Sequence, residues 1–282
     1  MNEPNNTNPD AANPQDDEWR VNIERFTGFA APYDAYRPSP PAVLPDLLAL
    51  LARAARLKLV VDLGCGTGLS TRIWAARADS VVGIDPSDDM RRQAVAITQA
   101  VNVSYRRGFS HETGLPGHGA DVITCSQSLH WMEPAGTFAE AARVLRPGGV
   151  FAAYDCSWPP ATACWQIGLA YRSLMDRAAK LAVRHGLTRG LKQWQKEGHL
   201  ARMRASGRFR AVNEIFLHSV ESGNAGRFVG LAVSQGMIAG LLKIGVAESE
   251  IGIDEFRDLA ATTLGDEMTP WYFSYRVRVG VV

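Results

Sequence analysis

This 282-residue chain has only four cysteines, Cys65, Cys125, Cys156 and Cys164, and none is paired at a metal-type or disulfide-framework spacing. The reading is reduced thiols in a cytoplasmic protein, with no metal expected. No apolar run is long enough to cross a bilayer. The polar N-terminus lacks the basic-then-apolar pattern of a secretion signal. Net charge is nearly absent: 30 Lys and Arg against 29 Asp and Glu leave +1, so no global field points to nucleic acid or a membrane surface. Internal repeats are missing too. What is present is an ordinary globular composition, 46% hydrophobic and 21% charged, with length enough for a large core.

Residues 1–18 hold Asn, Pro, Asp and Ala with little to bury, and read as a disordered tail. Residues 19–56 read as an N-terminal helical cap, where aromatics and prolines mix before Pro41 opens a helix. From 57 to 160, short aliphatic runs alternate with helical patterns. Strands are expected over 59–63, 80–84, 101–106, 121–125 and 150–155, and helices over 69–77, 88–99 and 134–145. That alternation makes a parallel sheet covered on both faces, whose buried strands read as continuous apolar runs. A helical block over 161–206 interrupts the domain, which resumes over 207–282 with strand-like runs at 211–220 and 272–282 and helical sequence between them.

The segment Asp62-Leu63-Gly64-Cys65-Gly66-Thr67-Gly68 sits between an expected strand and an expected helix. Glycine lets the backbone turn sharply and approach a ligand without a Cβ in the way, and a helix starting near Leu69 offers unpaired N–H groups. A nicotinamide or flavin fingerprint reads G-x-G-x-x-G; here Leu69 stands where the third glycine belongs. Asp62 opposes a pyrophosphate but suits a sulfonium or ammonium group. Asp85, at the end of the next strand, is placed to accept from both ribose hydroxyls. Its other reading is a helix cap, a role Ser87 or Asp88 can fill.

These two segments, the second running Gly83-Ile84-Asp85-Pro86-Ser87-Asp88-Asp89-Met90, resemble the first two motifs of class I S-adenosylmethionine-dependent methyltransferases. Tyr105 through Pro116 resembles the adenine-side loop, Asp121 through Trp131 the fourth strand with its loop, and Arg143 through Gly149 the turn before the fifth strand. Tyr33-Asp34-Ala35-Tyr36-Arg37-Pro38 and His130-Trp131 most resemble the trans-aconitate methyltransferase-like, small-molecule branch. The resemblance implies a Rossmann-like α/β fold. Its seven-stranded sheet would be mostly parallel with an antiparallel last strand, and the helical insertion between strands five and six would fold over the open edge as a cap. It implies S-adenosyl-L-methionine as cofactor, held by Tyr33, Arg37, Asp62, Gly64, Cys65, Gly66, Asp85, Pro86, Met90, Phe109, Ser110 and Gln127. Phe109 departs from the usual polar residue at its position; it suits packing on adenine, with the Ser110 backbone reading the ring edge.

The acceptor is less legible. Methyl transfer from a sulfonium is an in-line displacement that needs alignment and exclusion of water. A carboxylate nucleophile needs no base; a hydroxyl, carbon acid or ammonium does. His130 and Asp155, past the fourth strand and ending the fifth, are the catalytic candidates. His130 reads equally as a residue that orients its loop. Trp131 and Trp158 are candidate substrate walls, Trp131 alternatively core. Tyr33 and Arg37 read either as a cover on the ligand or as a packed cap. Acids are scarce between Ala161 and Arg210, where eleven basic residues face only Asp176 and Glu197. That excess reads as solvated helix faces, as a field for an anionic substrate, or as contact with RNA phosphates. The expectation is a small-molecule methyltransferase, first for carboxylate O-methylation, then for another O, C or N acceptor, then for tRNA. Outside that class stand a non-catalytic S-adenosylmethionine binder and a nicotinamide-dependent oxidoreductase.

Overall fold

The computed structural model describes residues 14–28 and 30–282. Three helices precede the sheet: α1 (Pro14–Glu24), α2 (Ala30–Tyr36) and α3 (Leu44–Leu51). Helix α1 begins at Pro14, so the last part of the expected tail is helical, and the rest of that tail lies outside the described residues.

The strands are β1 (Leu57–Leu63), β2 (Ala78–Ile84), β3 (Val103–Arg106), β4 (Ala120–Ser126), β5 (Leu145–Cys156), β6 (Ala211–Gly223) and β7 (Thr269–Val281). They form one seven-stranded sheet in the order β3-β2-β1-β4-β5-β7-β6. The first five run parallel, and β7 lies antiparallel between β5 and β6. This is the expected Rossmann-like arrangement with a reversed last strand.

Alternation along the strands builds a core on each face. Val60, Val81 and Val122 enter one core, while their neighbours Val61, Val82 and Ile123 enter the other. Chain direction out of the sheet reverses between β1 and β4, and the crevice at that switch point is where open α/β sheets bind ligands.

Helices α4 (Asp88–Ile97) and α5 (Pro134–Val144) flank the sheet. The expected helix over 69–77 is absent: a 3-10 turn, Thr71–Trp74, stands there. The link from β1 to β2 is short, and two side chains decide its path. Trp74 is fully buried, and the Thr71 hydroxyl donates to Asp62 Oδ2 at 2.7 Å.

The insertion straddles the sheet. Its helix α6 (Trp165–Arg184) packs with α8 (Ala225–Val233), α9 (Gly236–Lys243) and α11 (Ile253–Leu264) on one face, whereas Met203 of α7 (His199–Ala205) enters the opposite core. Only the stretch 185–198 passes from one face to the other. The helical block between β6 and β7, which also contains α10 (Glu248–Ile251), is thus part of the main core. Among the described residues no single helix is long and apolar enough to cross a membrane.

Candidate functional site

A cavity opens at the carboxyl ends of β1 and β4. About 1250 Å³ of space between atoms lies there, open solvent at its mouth included. The glycine loop forms its floor. Gly64 and Cys65 donate N–H bonds to the Ile84 carbonyl at 2.7 and 3.1 Å, tying the loop to the end of β2. The glycines do different jobs. A Cβ on Gly68 would collide with the Tyr105 hydroxyl, so this position is required by packing. Gly66 has φ +54° and nothing within 4 Å of its Cβ position, so it faces open space. Its bareness serves whatever occupies the cavity.

Asp85 is buried at the cavity edge, with Oδ2 accepting from Gly66 N at 2.9 Å and Oδ1 from Ser87 N at 2.8 Å. Burial pushes its pKa up, against those two bonds and the nearby Arg91. Ser87, not Asp85, caps α4 by accepting from Met90 N, so the Asp85 carboxylate stays available to the cavity.

Asp62 takes a different place from the other loop residues. It is fully buried beneath the loop and is not on the cavity wall. Its oxygens take hydroxyl bonds from Thr124 and Thr71, both at 2.7 Å. Burial raises its pKa to about 6 despite those bonds. Asp62 therefore pins the loop to β4. The other residues expected to hold the cofactor, from Tyr33 and Arg37 to Phe109, Ser110 and Gln127, all line the cavity. The helix terminus expected to donate N–H groups does not exist, and the Gly66–Asp85 bond fixes the loop in its place.

The Phe109 ring stacks on His111 at 5.5 Å between centroids, while the Ser110 hydroxyl turns inward to Thr137 at 2.7 Å. On the far wall, the Arg37 guanidinium lies between the rings of Tyr33 (4.7 Å) and Trp158 (4.8 Å). Its NH2 group donates to the Ser234 carbonyl and Gln235 Oε1 at 2.9 and 3.0 Å, and its buried Nε has no acceptor among the described residues.

The catalytic candidates fare differently. His130 and Asp155 are buried behind the wall rather than on it. His130 Nδ1 stands 3.9 Å from Asp155 Oδ1 and makes no hydrogen bond. Burial and then Lys196 hold its pKa well below the usual imidazole range. Asp155 is bound by Arg278 at 2.8 Å and Lys196 at 2.9 Å. Burial would raise its pKa, but Lys196, His130 and Arg278 together hold it low. Neither group lines the cavity. The two expected substrate residues, Trp131 and Trp158, do line it.

One wall was not foreseen. Trp19, Asn22, Ile23 and Phe26, on α1 and the turn after it, line the cavity. Their spacing of i, i+3, i+4, i+7 is the signature of one helical face, and it was readable. Asn22 fastens this helix: its amide donates to Lys192 O at 2.7 Å and accepts from Lys192 N at 3.0 Å.

Comparison with known proteins agrees with this architecture. Residues 61–153, from β1 through β5, match the methyltransferase domain model. An uncharacterized methyltransferase of Synechocystis sp. is 32% identical over 152 residues, covering 46% of this chain and 70% of that protein. An uncharacterized methyltransferase of Mycobacterium tuberculosis is 37% identical over 128 residues, covering 44% of this chain; the match spans about half that relative's length, 49%. Among solved structures, a putative type II methyltransferase from Anaeromyxobacter dehalogenans aligns at a TM-score of 0.59 and 24% identity, covering 87% of this chain and 98% of that one, which bears on fold alone.

Proposed function

The chain belongs to the methyltransferase-domain family, and from that premise we propose that it is an S-adenosylmethionine-dependent enzyme that methylates a small molecule in the cavity at β1 and β4. The observation that carries this reading is the pairing of Gly66, open to the cavity, with Asp85, whose carboxylate is fixed beside it. Open space at a Cβ position suits a closely seated ligand. A fixed carboxylate suits two vicinal ribose hydroxyls and disfavours a 2′-phosphate, and Leu69 in place of a third glycine argues against a nicotinamide dinucleotide.

Asp85 would hold the ribose, Phe109 and the Ser110 backbone the adenine, and Gly64, Cys65 and Gly66 the middle of the molecule. Pro86 and Met90 would close its nucleoside side. Tyr33, Arg37 and Gln127 would face its amino-acid end. When bound, S-adenosylmethionine supplies a methyl group made electrophilic by its sulfonium. The chain's part is to orient and to exclude water. Trp19, Ile23 and Phe26 line the cavity and would help exclude water, and Trp131 and Trp158 would wall the acceptor side.

The acceptor we favour is a carboxylate, as in the branch typified by trans-aconitate methyltransferases. A carboxylate needs no base, and the two groups foreseen as bases lie behind the wall. Arg37 supplies a cation on the cavity wall. The basic insertion contributes less to this reading than its composition suggests. Arg177 and Arg184 pair with Glu255 and Glu250 on neighbouring helices, and Lys192 pairs with Glu18. A cytoplasmic location completes the proposal, supported by cysteines that are all unpaired.

Two measurements test it. Calorimetry should give tight binding of S-adenosylhomocysteine and none of NAD; the reverse would end the proposal. A labelled-methyl assay over fractionated metabolites should label a base-labile ester, whereas label in RNA alone would remove the small-molecule acceptor.

A further inference from the structure

The insertion reaches the residues around the cavity from behind. As the stretch 185–198 crosses the sheet edge, Lys192 pairs with Asn22, Trp194 N donates to the His130 carbonyl at 2.9 Å, and Lys196 reaches the ends of β4 and β5. There the Lys196 ammonium donates to Gln127 Oε1 at 3.1 Å and pairs with Asp155 Oδ1 at 2.9 Å. Gln127 is on the cavity wall, and its backbone is held at φ +53°, a conformation costly for a non-glycine residue.

An ammonium has donors only, so the amide oxygen of Gln127 must face it. The Nε2 end is thereby turned the other way, and it makes no hydrogen bond among the described residues. Asp155 does not compete for Lys196 alone, because Arg278, fully buried, holds its second oxygen at 2.8 Å. We infer that Lys196 is a positioning residue: it locks the Gln127 amide so that only N–H donors face the cavity, selecting a ligand with a carboxylate at that point.

The sheet order says which end of the ligand that is, given the donor site proposed above, on which this inference rests. Adenine and ribose residues follow β3 and β2, the glycine loop follows β1, and Gln127 follows β4. A molecule lying along that edge with its nucleoside at β3 and β2 brings its far end to Gln127. In S-adenosylmethionine that end is the amino acid, and the donor-only amide meets its carboxylate.

The test compares S-adenosylhomocysteine with 5′-methylthioadenosine, which lacks the amino-acid end, by calorimetry on the full chain. The protein should prefer S-adenosylhomocysteine. Gln127→Glu keeps a partner for Lys196 but sets a carboxylate against a carboxylate. It should weaken S-adenosylhomocysteine about tenfold or more while leaving 5′-methylthioadenosine within about twofold. Lys196→Met, which frees the amide to flip, should weaken only S-adenosylhomocysteine, by about three- to tenfold, and Lys196→Arg should restore it. An unchanged ratio of the two affinities in Gln127→Glu and Lys196→Met would overturn the inference even if both variants lost thermal stability, since a purely structural lysine moves stability alone. A wild-type protein that binds neither ligand would instead remove the donor site, and the inference with it.

Discussion

Asp62 offers a quantitative check on the account of the glycine loop. It is fully buried, with a hydroxyl on each oxygen and no cation against it. Burial lifts its pKa from the ordinary 3.8 to about 6. The folded chain therefore holds this proton more tightly than the unfolded chain does. Stability from this group is fully present below pH 3.8 and drains away as the pH climbs through about 6. A gap of roughly two pH units corresponds to about 3 kcal/mol. Above that window the native protein carries a buried, ionised carboxylate as a standing cost.

Asp62→Asn removes the ionisation while keeping an amide that can pair with Thr71 and Thr124. Relative to the parent, the variant should gain about 3 kcal/mol between roughly pH 4 and pH 7, on top of any constant offset from the altered hydrogen bonds. Urea unfolding of both proteins across that range, read by tryptophan fluorescence, gives the difference directly. Carboxylates not coupled to Asp62 cancel in it, and the neighbouring Asp85 is the one whose titration shifts with the substitution. A difference that stays flat with pH would refute the reasoning. A second reading separates structure from ligand contact. Because Asp62 is not on the cavity wall, S-adenosylhomocysteine affinity at neutral pH should change by less than about threefold, well short of losing a charged hydrogen bond. A larger loss would return Asp62 to the ligand, where its sequence position first put it.

Asp62 also shows where sequence reasoning stops. The strand–glycine–strand–acid pattern carried the fold because burial on both faces leaves continuous aliphatic runs such as Val60-Val61 and Val81-Val82-Gly83-Ile84. It located Asp85 and Gly66 because strand ends are legible. Which way a side chain turns at such an end is not. Asp62 and Asp155 have the right chemistry, but Thr71, Thr124, Arg278 and Lys196 claim them from elsewhere in the chain. The helix expected over 69–77 failed because apolar spacing cannot reveal that Trp74 must fill the core within a short link. The α1 face of Trp19, Asn22, Ile23 and Phe26 was legible in principle. A polar, Asn- and Pro-rich start precedes it and gives no apolar cue to that helical spacing. Lys196 was not legible at all, since its partners lie 41 and 69 residues away.

The two loop glycines should separate packing from binding. Gly68→Ala drives a Cβ into the Tyr105 hydroxyl at φ +77°, and should cost about 2–5 kcal/mol in a denaturant melt. Gly66→Ala meets no atom and should cost about 1 kcal/mol of strain, yet weaken S-adenosylhomocysteine far more than that in a titration; equal effects on stability at both positions would contradict the open floor. Asn22→Leu strands the Lys192 N–H and carbonyl and should destabilise α1 by about 2 kcal/mol, read as faster hydrogen exchange over residues 18–28. His130 is the sharpest case. A positioned general base is worth about 10²–10⁴ in rate. His130 is buried, kept neutral by burial and Lys196, and directed toward an Asp155 that already has two cations. His130→Asn should therefore retain methyl transfer within about tenfold, with an unshifted pH–rate profile and a lower melting temperature from the lost contact between the His130 and Trp131 rings. A loss of a hundredfold or more in kcat at unchanged melting temperature would bring His130 into the chemistry. The acceptor would then have to carry a proton that must leave, which a carboxylate does not.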